Sequence, residues 1–326
     1  MNTKNDTVVH IGMGKCATTT LQHSIFPLLC KEIGYKWWLD DLELAKRVNQ
    51  HKVKMKLGFE TDSIDIPLGT FISYEPLFAH TEDPGFYEEY AEKNLQAFGK
   101  DAHILITVRH PKSYLSSVYL QSLKSGSVQK PKYYFIEKKY YSKRLRGYKF
   151  SVDDFSYDKL IKLYTDRFEK VSVVKYEFIS SMDFLVHLFG INKELLNKLQ
   201  HVYLNQKHNR GYSHTSVKLL FVLSNVLEKI HLTLAPSNIT NIAIDTLKDV
   251  NNQKKYSGSE RSLVKMLLFE IFKIFRWSFV LEKIIPKIFP YKKYELNLSE
   301  LPWIDISRLI DEYDNIPEMI TIRRES

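Results

Sequence analysis

Two short segments of the chain contain residues that could bind phosphate or sulfate groups. The first, residues 10–22 (HIGMGKCATTTLQ), predicts a strand that turns through a Gly/Lys/Thr loop into a helix. Such a turn directs backbone N–H groups and the positive end of a helix toward one point, where an anion binds favourably. The second, residues 108–119 (VRHPKSYLSSVY), places Arg109 at the end of a buried strand and Ser117 eight residues later. Together the segments indicate a nucleotide held at two separate phosphates.

The loop differs from the pattern G-x-x-x-x-G-K-[ST] of ATP-binding loops. Aligned from Gly12, the second Gly of the pattern is Ala17 and its Lys is Thr18. Thr19 fills the last position, and the lysine lies inside the loop as Lys15, from where it would lean toward the transferred group. A kinase needs its Lys at the helix start, near the β and γ phosphates. The loop therefore fits a phosphate but departs from the arrangement that ATP chemistry needs.

Four segments resemble the sulfotransferases that use PAPS (3′-phosphoadenosine 5′-phosphosulfate). Residues 15–21 (KCATTTL) resemble the loop K-[ST]-G-T-T-[ST]-L of that family, and residues 108–111 (VRHP) with Ser117 resemble its 3′-phosphate motif. Residues 71–75 (FISYE) are similar to a strand ending in Ser-x-Glu, and residues 173–177 (VVKYE) to one ending in Tyr-Glu. The resemblance covers roughly residues 8–215. Four positions depart from the family pattern, namely Cys16, Ala17, His110 and Tyr114.

The resemblance implies a role for each motif around the donor PAPS. Lys15 would neutralise the charge that develops on the leaving phosphate oxygen, and Arg109 with Ser117 would hold the 3′-phosphate. Glu75 would be the general base that removes the proton of the acceptor hydroxyl, with His80 as the competing candidate. The residues expected to contact the donor are Gly14, Lys15, Cys16, Ala17, Thr18, Thr19, Thr20, Arg109, Ser117, Tyr176 and Arg210.

Several of these residues have a second interpretation. Arg109 could be a structural residue at a strand end, and Glu75 could belong to a salt bridge. Tyr176 could border the adenine or lie in the core. Cys16, beside a helix N-terminus, could be a reactive thiol or fill the place of a small loop residue. Ala17 stands where the family has Gly, and a negative φ there would let its methyl group be tolerated.

An alternation of strands and helices positions the motifs. The expected strands are residues 7–12, 70–73, 102–108 and 171–175, and the expected helices are residues 18–33, 88–98, 113–122, 157–168 and 182–188. This order is typical of a parallel sheet covered by helices. We expect an α/β fold with a P-loop-like parallel sheet flanked by helices and a helical C-terminal extension. Ligands bind at the carboxyl ends of such strands, and every motif lies at such an end.

Length and composition predict one enzyme domain. The chain has 326 residues, of which 44% are hydrophobic, so it can bury a large core. We expect a single domain over residues 1–326, with a core at about 7–215 and the extension at about 216–326. Two cysteines indicate a reduced, cytoplasmic protein, and the scattered histidines predict no metal site. The polar first residues and the lack of a long apolar run predict neither a signal peptide nor a membrane span.

The acceptor expected from the resemblance is a carbohydrate or a glycolipid. The net charge of +9 fits anionic ligands, and no nucleic-acid-binding motif is present. Residues 124–149 contain nine Lys or Arg, one acid and interleaved tyrosines, which suits acidic sugars or a solvated insertion. Residues 262–293 contain seven basic residues and two acids. They predict a helix, ended by Pro286 and Pro290, that lies at the inner face of a membrane or packs on the core.

Two other classes of protein stay open at this point. A P-loop kinase or NTPase would turn over ATP with Mg²⁺, although Thr18 stands in the place of its lysine. A non-catalytic nucleotide- or glycan-binding protein would use Arg109 and Ser117 while Lys15 and Glu75 had no chemical role. The oligomeric state is not predicted by the sequence.

Overall fold

The structure of the protein is a computed structural model that describes residues 6–78, 84–124, 130–137, 149–205, 212–229 and 284–324. The chain divides into two compact units. The first unit comprises Met1–Tyr114, Glu137–His208 and Pro302–Ser326, and the second comprises Leu115–Ile136 and Asn209–Leu301. The loop between β1 and α1, Glu75, Arg109 and Tyr176 belong to the first unit, whereas Ser117 belongs to the second. The expectation of a single domain stays a prediction.

Strands of the first unit form one mostly parallel sheet. The strands of the described chain are β1 (Val8–His10), β2 (Lys36–Trp37), β3 (Thr70–Ser73), β4 (His103–Val108), β5 (Phe135–Ile136), β6 (Phe150–Ser151), β7 (Lys170–Lys175) and β8 (Met319–Arg323). Six of them pair in the order β2-β3-β1-β4-β7-β8. All neighbours run parallel except β8, which is antiparallel to β7. The carboxyl ends of β1, β3, β4 and β7 therefore share one edge of the sheet.

Helices connect the strands and flank the sheet. The helices of the described chain are α1 (Thr18–Thr20), α2 (Phe26–Ile33), α3 (Leu42–Leu57), α4 (Tyr87–Phe98), α5 (Pro111–Lys124), α6 (Pro131–Tyr134), α7 (Tyr157–Thr165), α8 (Asp183–Phe189), α9 (Lys193–Asn205), α10 (His214–Lys229), α11 (Ile285–Ile288) and α12 (Ile306–Asp314). Of these, α6, α10 and α11 belong to the second unit. A π-helical stretch, Leu21–Ile25, joins α1 to α2. Within the described residues, no helix is long and apolar enough to cross a membrane.

The sheet is buried because its central strands are apolar on both faces. All six residues of β4 (HILITV) and the inner residues of β7 are buried. Continuous apolar runs of this kind are typical of parallel strands covered on both sides. The register places Val8 of β1 beside Phe71 of β3 and His103 of β4. The central strands of the sheet therefore lie in the interior of the first unit.

The predicted α/β class is confirmed, together with most of the predicted elements. β3 spans the predicted residues, and the other predicted strands and helices shift by a few residues at their ends. The long helix α3 was not predicted, although Leu44, Val48, His51 and Met55 are buried at helical spacing. Asp41 caps α3 by accepting hydrogen bonds from two backbone N–H groups of its first turn, which is a strong signal for a helix start.

The C-terminal extension differs from its prediction in two places. It was expected to be helical, but β8 is a strand that pairs Ile322 with Val171. The β-branched residues of β8 favour a strand, and the backbone groups of β7 offer it partners. Pro286 was expected to end a helix, but it lies in the first turn of α11, where its missing N–H needs no partner. The rest of the predicted helix, residues 262–283, lies outside the described residues.

The second unit has an aromatic core of its own. The ring of Tyr119 on α5 lies near the rings of Tyr134 and Tyr294, at centroid distances of 5.7 and 6.0 Å. Ser116 accepts a hydrogen bond from the backbone N–H of Leu296 at 3.1 Å. These contacts attach the segment that follows α11 to α5.

Candidate functional site

The loop between β1 and α1 has an unusual backbone. φ is +39° at Gly12, +67° at Lys15 and +57° at Ala17, a region that favours glycine. Two backbone hydrogen bonds fasten its first part to β4, from the N–H groups of Ile11 and Met13 to carbonyl groups of that strand. The first part of the loop therefore continues alongside β4, and its last residue, Ala17, precedes the first helical turn.

Ala17 does not have the negative φ that would let its methyl group be tolerated. It lies in the left-handed region with φ +57° and ψ +15°, where a Cβ atom crowds the following carbonyl oxygen. The chain thus keeps the backbone shape that a glycine would give but carries a methyl group there. Strain of this kind costs on the order of 1 kcal/mol and often occurs at functional sites.

Glu75 contacts the loop through Thr18. It begins a short 3₁₀ helix directly after β3, and its Oε2 accepts a hydrogen bond from the hydroxyl of the buried Thr18 at 2.5 Å. The 3₁₀ helix is also attached to α4, since the carbonyl of Leu77 accepts a hydrogen bond from the fully buried Asn94 at 2.8 Å. The predicted general base is thus half-buried at the edge of the loop. The hydroxyl of Thr18 holds its carboxylate there.

A buried histidine lies beneath the loop. His10, at the end of β1, is fully buried, and its Nδ1 lies 2.6 Å from the hydroxyl oxygen of Ser73. Burial lowers the pKa of His10 to about 3, so its ring is neutral near pH 7. The ring is so close to Gly12 that a Cβ atom there would lie 2.8 Å from its Cε1. The close approach of ring and backbone explains why position 12 is a glycine.

Arg109 connects the end of β4 to the loop. Its Nη1 donates to the carbonyl oxygen of Lys15 at 2.8 Å, and its Nε donates to the hydroxyl of Ser113 at 3.1 Å. The guanidinium carbon lies 4.5 Å from the centre of the Tyr176 ring, a cation–π contact. Two motifs that are 94 residues apart in the chain are therefore joined directly, and Tyr176 supports the arginine.

The turn that carries Arg109 is held by side chains that the sequence analysis did not assign. The hydroxyl of Tyr157 donates to the carbonyl of Arg109, and Glu177 accepts a hydrogen bond from the backbone N–H of His110 at 3.4 Å. The other carboxylate oxygen of Glu177 accepts from the hydroxyl of Tyr313 on α12. Burial, and then the bond to Glu177, raise the pKa of Tyr313, so Tyr313 stays a donor.

The other predicted loop residues differ in how far they are buried. Gly14 and Cys16 are buried, Lys15 and Thr20 are half-buried, and Thr19 is exposed. Ser117 is half-buried on the part of α5 that belongs to the second unit, and Ser113, one turn earlier, is the serine that contacts Arg109. His80 and Arg210 lie outside the described residues.

Cys16 is the small loop residue rather than a reactive thiol. It is fully buried, its Sγ lies 3.7 Å from the carbonyl oxygen of Gly14, and burial raises its pKa well above the usual value. A protonated, inaccessible thiol is a poor nucleophile. The interpretation of Cys16 as a reactive thiol is therefore wrong for this structure.

The comparisons with known proteins give no family. No known family, no curated protein and no solved structure matches the chain. In the described part of the chain, no group of three or more His, Cys, Asp or Glu side chains could hold a metal ion.

Proposed function

We propose that the protein is a sulfotransferase that moves the sulfuryl group of PAPS to a hydroxyl group of a carbohydrate acceptor. The observation that carries the proposal is the position of the loop between two motifs. On one side Thr18 contacts Glu75, and on the other side Arg109 contacts the carbonyl of Lys15. The candidate base, the candidate lysine and the candidate phosphate-binding arginine thus belong to one connected set of residues.

The residues of this set fit the charges of the donor. The loop and the first turn of the helix supply backbone N–H groups for the 5′-phosphate, and Lys15 supplies positive charge for the phosphate oxygen that leaves. Arg109 uses two of its five N–H groups for Lys15 and Ser113. A guanidinium group has further donors for a phosphate, so Arg109 can position the loop and bind the 3′-phosphate at the same time. Tyr176 is proposed as a further donor contact, and the role of Ser117 stays a prediction.

The proposed reaction is an in-line displacement at sulfur. The acceptor oxygen forms a bond to sulfur while the bond between sulfur and the bridging phosphate oxygen breaks. Glu75 takes the proton of the acceptor hydroxyl, and the leaving 3′,5′-bisphosphate keeps the electron pair under the charge of Lys15. Glu75 accepts a hydrogen bond from the hydroxyl of Thr18, which keeps the carboxylate at the loop.

The acceptor class and the location belong to the proposal as well. A carbohydrate or glycolipid follows from the resemblance to glycan sulfotransferases, and the basic, aromatic residues near 130–134 fit an acidic sugar. Of these, Tyr133 is exposed whereas Tyr134 is fully buried, so only the former is a candidate for stacking on a sugar. A cytoplasmic location fits the free thiols of Cys16 and Cys30, because oxidising compartments favour disulfides.

The first experiment measures binding of the donor product. The full chain is titrated with adenosine 3′,5′-bisphosphate in a thermal-shift assay, with ATP and Mg²⁺ as the comparison. A ligand that binds only the folded protein adds about 2.7 kcal/mol at about 100 times its Kd. Stabilisation by the bisphosphate should be lost in Arg109→Ala and kept in Arg47→Ala, which removes an exposed arginine of α3. Stabilisation by ATP and Mg²⁺ alone would contradict the proposal and favour a kinase.

The second experiment separates an enzyme from a binding protein. Radiolabelled PAPS is incubated with the protein and a panel of acidic and neutral glycans, and sulfated product is counted. Lys15→Ala and Glu75→Gln should each lower turnover by about a hundredfold or more, while bisphosphate binding persists in Glu75→Gln. Their matched controls, Lys159→Ala and Glu60→Gln, change exposed residues and should leave turnover intact. Equal turnover in Glu75→Gln and wild type would remove Glu75 as the base.

A further inference from the structure

We propose that residues 284–293 of the second unit form a docking surface for an anionic lipid bilayer. This inference is independent of the proposed reaction. The segment exposes four large apolar side chains: Ile288 is 65% exposed, Phe289 47%, Ile284 39% and Tyr291 37%. All four lie within eight consecutive residues, at α11 and just after it. Exposed apolar side chains grouped in this way mark an interaction surface.

The positive charge of the segment favours an anionic partner. Lys287, Lys292 and Lys293 are exposed, and residues 284–294 contain no acid. Lysines beside inserted apolar residues are the combination that binds the interface of an anionic membrane, since the apolar side chains enter the headgroup region while the ammonium groups contact lipid phosphates. A two-fold contact between copies of the chain would instead place the same lysines of both copies against each other, so that like charges meet.

The backbone of the segment is fixed, although its side chains are exposed. The carbonyl of Lys292 accepts a hydrogen bond from the N–H of His214 at 2.8 Å. Tyr294 is buried, with its ring 6.0 Å from that of Tyr119. Ile285, in the first turn of α11, is also buried. A surface that is ordered before it binds loses little conformational entropy on docking.

A second group of exposed apolar residues provides an internal contrast. Phe59 and Leu68 of the first unit are 59% and 72% exposed, which exceeds the exposure of Phe289. Acids surround them in the sequence, including Glu60, Asp62 and Asp65. Apolar exposure alone is thus present in both units. The combination of apolar exposure with only positive charge distinguishes residues 284–293.

The experiment measures binding of the full chain to vesicles by flotation. Binding to phosphatidylcholine vesicles that contain phosphatidylglycerol is expected, with little binding to pure phosphatidylcholine. Changing Lys287, Lys292 and Lys293 together to Gln should weaken binding about a hundredfold, because each basic residue contributes about 1 kcal/mol near such a surface. Phe289→Ser should also weaken it, whereas the matched Phe59→Ser should bind like wild type. Equal binding to both vesicle types, or an unchanged Phe289→Ser variant, would overturn the proposal.

A labelled variant gives a signal that does not depend on loss of binding. Both native cysteines, Cys16 and Cys30, are free and buried, so a single Cys introduced by Phe289→Cys can be labelled selectively with an environment-sensitive dye. Anionic vesicles should shift its emission to the blue, and Phe59→Cys should show no shift. Self-association without lipid that is lost in Phe289→Ser, with no dye shift on adding vesicles, would identify a second copy of the chain as the occupant and overturn the proposal.

Discussion

The loop after β1 and the turn after β4 belong to the same candidate site, but different interactions fix their conformations. Backbone conformation shapes the loop, which has left-handed residues at Gly12, Lys15 and Ala17. Side chains from distant parts of the first unit shape the turn at Arg109 and His110. These side chains come from α7, from the segment after β7 and from α12.

This difference predicts how each region responds to mutation. A loop that depends on backbone geometry should be sensitive to the size of a few residues within it. A turn that depends on several separate hydrogen bonds should lose stability in small steps as single donors are removed. The two regions meet at the hydrogen bond from Arg109 to the carbonyl of Lys15, so damage on either side should weaken bisphosphate binding in the proposed site.

The largest effect is expected for Gly12→Ala. A Cβ atom at position 12 would lie 2.6 Å from Cγ2 of Thr18 and 2.8 Å from the ring of His10, at a φ of +39°. We expect a loss of at least about 3 kcal/mol in the free energy of unfolding, from overpacking and strain combined. Gly34→Ala is the matched control, because its φ is also positive and nothing lies within 4 Å of its Cβ position. Urea unfolding of both variants should give a much smaller loss for Gly34→Ala, and equal losses would contradict the tight packing beneath the loop.

The second effect is a dependence on pH through His10. Its pKa is about 3 in the folded protein because it is buried, and about 6.5 in the unfolded chain. As the pH falls below about 6.5, the unfolded chain takes up a proton that the folded protein does not. Stability should therefore fall by about 2 kcal/mol between pH 7 and pH 5 from this residue alone.

The variant His10→Asn isolates that contribution. Asn can keep a hydrogen bond to Ser73 but does not titrate. The difference in unfolding free energy between pH 7 and pH 5 should be about 2 kcal/mol smaller in the variant than in wild type, whatever the variant's own stability. His51 and His103, whose pKa values burial lowers to about 4 and about 3, contribute equally to both proteins. An unchanged pH dependence would show that His10 is accessible to protons.

The two regions also differ in how far the sequence predicted them. Residue types within one short segment indicated the loop, and strand ends gave the approximate positions of Glu75 and Arg109. The partners of the turn are 48 residues from Arg109 in the case of Tyr157 and 67 residues from His110 in the case of Glu177. No local pattern connects such residues, because a tyrosine or glutamate at a strand or helix end has many possible partners. The left-handed φ of Ala17 was not predicted either, since alanine normally avoids that region.

A smaller effect is expected when one support of the turn is removed. Tyr313→Phe deletes the hydroxyl that donates to Glu177 and keeps the ring, which lies 5.5 Å from those of His110 and Tyr157. We expect a loss of about 1 kcal/mol in stability and a less than tenfold weakening of bisphosphate binding. Tyr133→Phe is the control, because Tyr133 is exposed in the second unit. A loss as large as that of Gly12→Ala would contradict the view that the turn is held by several separate contacts.

The smallest effect is expected for Ala17→Gly, and its sign is informative. Left-handed backbone costs a residue with a Cβ atom about 1–2 kcal/mol relative to Gly, and Ala17 has a φ of +57°. Glycine also makes the unfolded chain more flexible, which offsets about 0.4–1 kcal/mol of that gain. The net change should therefore be a stabilisation of about 0.5 kcal/mol. The matched Ala45→Gly, inside α3, should destabilise by about 1 kcal/mol, so the two variants should differ in sign in urea unfolding. Destabilisation by Ala17→Gly would mean that the loop relaxes to a negative φ in solution, and the contrast between a backbone-shaped loop and a side-chain-held turn would then be lost.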